Sequence, residues 1–256
     1  ALAHQRRKLI ELAAAVRHGE VTEFDALPLP VSRYLRWCMD DWRPLRLLRI
    51  RQRGTLRTDV HSERWMPFTA EQLIAPAASA FLWDAHVKMG PLLHVRVRDA
   101  FIEGRGSGHA SLLSAFPMSS AAGTPEMNAG ALHRFLAEAV WYPTALLPGP
   151  DLRWRPVDDH RAVAEITVRD VTVSLEFRFA DSGEVTGIYT PARWGSFSEG
   201  FAQRGWEGHF REYRTLAGVR VPTEADVGWY DEGEWRCVWK GRITEYLPLA
   251  TGAARS

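Results

Sequence analysis

Lysine and asparagine are nearly missing from this chain. Lys8, Lys88 and Lys240 are its only lysines, so 29 of its 32 basic residues are arginine, and Asn128 is its only asparagine. The bias fits the codon usage of a high-GC genome, and it also supplies planar, permanently charged groups suited to bidentate anion recognition in partly dry sites. An excess of one charge is missing too. With 32 basic and 31 acidic residues the formal charge is +1, without the broad positive field of a protein whose main partner is a phosphate backbone. Nucleic acid is not the expected partner.

Cys38, in a helical stretch, and Cys237, in a strand, are too few for a disulfide scaffold and have no CxxC spacing, which fits a reducing cytoplasm. No run of about 18 apolar residues and no signal-type segment occurs, so no membrane span or secretion leader is expected. The chain begins at Ala1 without a methionine, which leaves room for an upstream anchor or partner domain. GxSxG, HExxH and paired His/Cys spacings are absent, and the nine histidines are scattered, so neither a metal, a cofactor nor an acyl-enzyme is expected. Gly104-Arg105-Gly106-Ser107-Gly108 lacks the Lys-Ser/Thr of a phosphate loop and runs into strand residues, which points to a tight turn.

Against these absences stand eleven tryptophans, several of them (Trp65, Trp83, Trp194, Trp206, Trp229, Trp235 and Trp239) in or beside strand-like segments. Most suit a core; a few suit the wall of a pocket, where an indole offers a rigid apolar face and one donor. The length suits one domain or a tightly fused pair. The pattern divides into an N-terminal helical segment (1–42), an antiparallel half-barrel (43–250) and a flexible-looking tail, Thr251 to Ser256. Helical spacing of Leu9, Ile10, Ala13 and Ala14 predicts one amphipathic helix, and a second follows Pro28 and Pro30.

From about residue 43 to 115, β-branched and aromatic residues alternate with charges, punctuated by Gly54, Gly90-Pro91 and Gly104, which predicts a meander of antiparallel strands. Thr124 as N-cap, Pro125 and Glu126 then start one inserted helix that runs to about Tyr142. Further strands follow near 161–168, 171–180, 184–190, 206–215, 219–230 and 235–247. The fold class is α+β: a curved antiparallel sheet with N-terminal helices and one helix on its concave face.

Residues 81–89 and 93–101 each alternate apolar and polar faces. A three-residue loop, Met89 to Pro91, would pair Val87 with Leu93, Ala85 with Val95 and Trp83 with Val97, and set Asp84 opposite Arg96. It places Asp99 opposite Phe81 and near Phe101 on the apolar face, where desolvation raises a carboxyl pKa unless a cation is close. Asp99 is thus a candidate acid or base, or else the partner of a buried arginine.

The inserted helix carries an apolar stripe (Leu132, Phe135, Leu136, Ala139, Val140), with Met127, Arg134, Glu138 and Trp141 opposite. Met and Trp beside a charge pair do not suit a solvated face, so the helix is expected to be covered on both sides. It would plug the open mouth of the sheet and aim Arg134, Glu138 and Trp141 at a cavity shared with Asp99. The alternative is an ordinary packed helix whose ion pair covers its own aromatic neighbour.

The stretches LPLPVSRYLR (27–36), RWMPFTAEQ (64–72), FLWDAHVKMGPLLHVRVRDAFIEGRGS (81–107), FLAEAVWYPTALLP (135–148) and WKGRITEY (239–246) resemble an uncharacterised family of bacterial proteins common in high-GC genomes. The meander with an inserted helix is also similar to the half-barrel of periplasmic lipoprotein carriers, a fold reused by cofactor-free biosynthetic enzymes. The chain departs from the carriers in lacking a secretion signal and in its expected Trp, Arg and carboxylate lining.

Two functions compete. One is a cofactor-independent enzyme of specialised metabolism, a ring-closing or eliminating lyase. In it Asp99 or Glu138 takes a proton, Arg134 or Arg105 holds an anionic group, and Trp83, Phe101, Trp141 and Trp239 fix the substrate. The other is a non-catalytic half-barrel that binds an apolar or amphiphilic ligand. Convergent charges in the cavity favour the first and an aliphatic trough the second. A second subunit or a homo-oligomer would be compatible with either.

Overall fold

A computed structural model describes residues 2–16, 24–39, 45–91, 93–112 and 116–250, with side chains described outside 112 and 116–121. The expected segment boundary near residue 42 and the tail from Thr251 lie outside the described residues. In chain order the elements are α1 (Leu2–Ala15), α2 (Leu29–Cys38), β1 (Leu47–Leu56), β2 (Met66–Ala75), β3 (Ala80–Lys88), β4 (His94–Ile102), β5 (Arg105–Leu112), β6 (Phe116–Ala122), α3 (Pro125–Glu138), β7 (Leu152–Asp158), β8 (Arg161–Val168), β9 (Val171–Phe179), β10 (Val185–Phe197), β11 (Gly200–Leu216), β12 (Val219–Asp231) and β13 (Glu234–Leu249).

All thirteen strands join one antiparallel sheet, in the order β6-β5-β4-β3-β2-β1-β13-β12-β11-β10-β9-β8-β7. Two meanders, β1–β6 and β7–β13, are thus fused by the β1–β13 ladder, which pairs Leu47 with Leu249 and Leu56 with Trp239. Curvature follows from the position of α3. The helix packs on β4 and β5 and also on β9 and β10. In a flat sheet β5 and β9, nine strand spacings apart in this order, would be separated by roughly 43 Å at about 4.8 Å per spacing. A helix about 10 Å across touches both only if the sheet curls around it.

Alternation explains which face curls inward. Val171, Val173, Leu175, Phe177 and Phe179 of β9 are buried while Thr172 and Ser174 are exposed, a period of two. The inward residues join Leu132, Phe135 and Leu136 of α3 and Val31, Tyr34 and Leu35 of α2 in the main core. A smaller cluster lies on the other face, where Leu9 and Ala13 of α1 cover Leu73, Leu82 and Ala100. At about 2 kcal/mol for each fully buried large aliphatic or aromatic side chain, the α3 stripe alone is a major source of the stability of the inserted helix.

The α3 start agrees with the cap pattern: the Thr124 hydroxyl accepts the Met127 N–H at 3.3 Å. Its end differs. The α-helix stops at Glu138 and continues as 3-10 turns, Ala139–Trp141 and Pro143–Leu146, because Tyr142 precedes Pro143 and sits at φ −141°, ψ 66°. Two close approaches wedge the helix: a Cβ on Gly130 would lie 2.7 Å from the Trp194 carbonyl oxygen, and one on Gly106 would lie 2.5 Å from that of Met127. The glycines let α3 touch both halves of the sheet.

Three strand details correct the sequence reading. β3 and β4 pair two residues further along than expected: Phe81 faces Phe101, Trp83 faces Asp99, Ala85 faces Val97 and Asp84 faces Arg98. The connection spans Met89 to Leu93, with both Met89 N–H and Gly90 N–H donating to the Leu93 carbonyl. The Asp84–Arg96 ion pair forms nonetheless, on the diagonal, with Nε to Oδ1 at 2.7 Å. Gly54 is no punctuation; it lies inside β1 opposite Gly241. Finally, β7 and the second half of β10 carry no clear alternation and were not expected as strands.

Candidate functional site

Arg134 sits at the centre of the polar interior. From the middle of α3 its Nη1 donates to Asp99 Oδ2 at 2.7 Å and its Nε to Glu138 Oε1 at 2.8 Å. Its guanidinium carbon lies 4.8 Å from the Trp83 ring centroid and 5.2 Å from that of Phe81. Burial acts to lower its pKa, but Glu138 and Asp99 outweigh burial and hold it above the ordinary arginine value.

The network extends inward from Glu138. Its second oxygen, Oε2, accepts from Gln72 Nε2 at 2.6 Å; Gln72 Oε1 accepts from Gln52 Nε2 at 3.4 Å; Gln52 Oε1 accepts from the Trp83 indole N–H at 2.9 Å. An indole only donates and a carboxylate only accepts, so the direction of this chain fixes both amides. Both oxygens of Glu138 are therefore committed to structure. Asp99 differs: Oδ2 is held by Arg134, while Oδ1 is turned toward Gly108 and the side chain is 39% exposed.

Beside Asp99 a hollow of about 230 Å³ opens between the first half of α3 and strands β4, β5, β10 and β12. Phe81, Met127, Trp194, Phe201 and Trp229 form its apolar wall, with Phe201 exposed at the rim. Asp99, Glu126, Arg134 and Arg193 are its charged members. Of the residues expected from sequence, Asp99 and Arg134 line this hollow, while Glu138 and Trp83 support it from behind through the bonds above.

The remaining expected residues lie elsewhere. Phe101 is fully buried in the core opposite Phe81. Arg105 lines a separate depression with His4, Gln5 and Lys8 of α1. Trp141 and Trp239 pack at a tilt of 51° with ring centroids 6.4 Å apart in the main core, and Trp239 in turn lies 5.6 Å from Phe68. The Trp141 indole Nε1 is buried without a hydrogen-bond partner among the described residues.

Arg193 escaped the sequence reading. It follows the irregularity between Thr190 and Arg193 in the β10–β11 ladder, in the segment where no alternation marks a strand. Its guanidinium carbon lies 4.5 Å and 4.9 Å from the Trp206 and Trp229 ring centroids.

On the far side of α3, His133 lines a second cavity of about 470 Å³ with Arg155, Ser174, Tyr189 and Trp194. Its Nδ1 and Nε2 lie 3.2 Å from the carbonyl oxygens of Ala129 and Ser174. Burial and the nearby Arg193 push its pKa down to about 4. The folded protein thus holds the ring neutral while the unfolded chain, with an imidazole pKa of about 6.5, takes up a proton. The stability His133 supports is complete above pH 6.5 and is lost as pH falls from there toward 4, about 3 kcal/mol in all by the 1.36 kcal/mol per pKa unit of linkage. In urea titrations at pH 7.5 and pH 4.5, His133→Gln is expected to lose less stability between the two than the natural chain; an equal loss would remove this role.

Among the described residues no helix is long and apolar enough to cross a membrane, and no cluster of three or more His, Cys, Asp or Glu is arranged to hold a metal ion.

A search of curated proteins finds no significant match. Among solved structures, a LolA superfamily protein from Nitrosomonas europaea is similar at 9% identity and a TM-score of 0.46, over 90% of this chain and 99% of that one. A β-barrel-like protein of the domain of unknown function DUF1849 from Brucella abortus is similar at 8% identity and a TM-score of 0.24, over 78% and 96%. The model of a family of unknown function, DUF6544, matches residues 18–241.

Proposed function

The chain belongs to the family of unknown function DUF6544, and we propose that this member is a small-molecule-binding protein whose ligand sits in the hollow between α3 and the concave sheet. The observation that carries the reading is the lining. Aromatic and methionine side chains from five separate elements converge on a space of about 230 Å³, and the buried polar network behind it is bonded to itself. A rigid, mostly apolar recess with a few placed polar groups suits binding of an amphiphilic molecule. Within the cell the reading fits a reducing cytoplasm, where Cys38 and Cys237 remain thiols.

Gly108 offers a direct test. A Cβ there meets only Asp99 Oδ1 at 3.5 Å and Met127 Cε at 3.6 Å, ordinary contacts, and points into the hollow. Gly108→Leu is expected to fill the space with little cost to folding and to weaken ligand binding by about tenfold or more, about 1.4 kcal/mol. Native mass spectrometry of the purified protein, followed by titration of whatever small molecule it carries, measures the loss. Unchanged binding in a folded Gly108→Leu variant would move the ligand elsewhere.

A second reading rests on Oδ1 of Asp99, which accepts no hydrogen bond among the described residues. A carboxylate held on one oxygen by an arginine and open on the other is placed to take a proton from a bound molecule, as a ring-closing or eliminating lyase requires. Under this reading Asp99→Asn abolishes turnover of the bound molecule while leaving its binding within a few-fold; under the binding reading the substitution reveals no turnover to lose.

A further inference from the structure

Arg134 and Arg193 are the two cations of the hollow, and their surroundings differ. Arg134 is matched by two carboxylates at hydrogen-bond distance. Arg193 forms no ion pair among the described residues: its Nη2 donates to the Gly130 carbonyl at 3.0 Å, its faces are covered by Trp206 and Trp229, and its Nε is buried with no hydrogen-bond partner among those residues. Burial, and then the charge of Arg134, push its pKa down to about 9, against a partial opposing pull from Asp99 and Glu138. At neutral pH the group is still charged.

A cation at a recess wall with an unmet donor and no counterion is costly to hold, and an anion arriving through the hollow relieves both defects. The neighbours limit what that anion is. Asp99 and Glu126 also line the space and repel a second negative charge, and one guanidinium is available. The volume is below the roughly 300 Å³ at which drug-sized pockets begin. Trp194, Phe201 and Trp229 stand where the uncharged part would lie.

We propose that Arg193 is an anion-binding residue and that the ligand of the hollow is a small monoanionic acid, with its carboxylate at Arg193 and a flat or short apolar body against Trp229 and Trp194. This rests on the ligand-binding reading above and adds the chemical class of the ligand. Arg193 contributes affinity for the head group, and the aromatic wall contributes affinity for the body regardless of charge.

The test compares 4-phenylbutyrate with the neutral 4-phenylbutan-1-ol by calorimetric titration of the whole chain at pH 7.5. The natural protein is expected to bind the acid about tenfold more tightly or better, the effect of one charge-assisted contact in a partly dry site. In Arg193→Gln the preference is expected to fall below about twofold, with affinity for the alcohol retained. Equal binding of the two probes by the natural protein, or an unchanged preference in Arg193→Gln, would overturn the inference and leave the hollow as a neutral-ligand site. Binding of neither probe would remove the ligand-binding reading itself. Should Arg193→Gln fail to fold, as near-ultraviolet circular dichroism of the tryptophans would reveal, Arg193→Lys is read in its place. It keeps the charge but loses the fork, so a reduced preference supports the inference and an unchanged one overturns it.

Discussion

Gly54→Ala is expected to cost about 5 kcal/mol, or to leave no soluble folded protein, at the upper end of what a single substitution does. A Cβ at this position would sit 2.0 Å from the Lys240 carbonyl oxygen, 2.7 Å from the Gly241 Cα and 2.9 Å from the Lys240 carbonyl carbon, all backbone of β13. No side-chain rotation relieves such an overlap, so the strands must separate. The location makes this worse than a local defect. Gly54 pairs with Gly241 in the one ladder that fuses the two meanders, where partners are nearly 190 residues apart in sequence. Loss of that ladder frees both halves of the sheet and opens the core under Phe68 and Trp239. Thermal unfolding would register a fall of at least about 10 °C, at 2–4 °C per kcal/mol for a chain of this size. Gly149→Ala, where a Cβ meets nothing within 4 Å, is the control and should change the stability by less than about 0.5 kcal/mol. Equal stability of Gly54→Ala and the natural chain would show that the β1–β13 approach is looser than described.

The ladders show where the sequence was legible and where it was not. Alternation fixed which residues of β3 and β4 face inward, but it is satisfied equally by registers that differ by two residues. The choice was made by the Met89–Leu93 turn, whose paired amides on one carbonyl have no sequence signature. Gly54 read as a break because glycine commonly ends strands; only the neighbouring backbone shows that it is required inside one.

In the site, Asp99 was legible because it interrupts an apolar face with a charge, and Arg134 and Glu138 because Met127 and Trp141 share their helix face. Gln52 and Gln72 also interrupt an apolar face, in phase with Ile50 and Ile74, but an amide carries no charge and marks a site less sharply. Arg193 was not legible. It is separated from Asp99 by 94 positions and lies in a strand without alternation, and only the curl of the sheet around α3 brings β10 to the same hollow as β4.

Arg134→Met is expected to destabilise the fold by about 4 kcal/mol, within the range for breaking a buried ion pair from one side. Methionine keeps much of the stem volume and its packing against Phe81 and Trp83, so lost contact area accounts for little of the effect. The main cost falls on Glu138, which at 15% exposure would retain only the Gln72 amide as a donor among the described residues and has little access to water. Asp99, at 39% exposure, can turn to solvent and adds less. The expected asymmetry gives a second measurement. Arg134→Met combined with Glu138→Leu removes both buried charges and, since a matched apolar pair is often as stable as a buried ion pair, should recover a large part of the loss in urea midpoint, whereas Arg134→Met with Asp99→Ala should recover little. If the Glu138 double variant is no more stable than Arg134→Met alone, the arginine acts through its stacking on the two aromatic rings, and the buried network is held together by shape before charge.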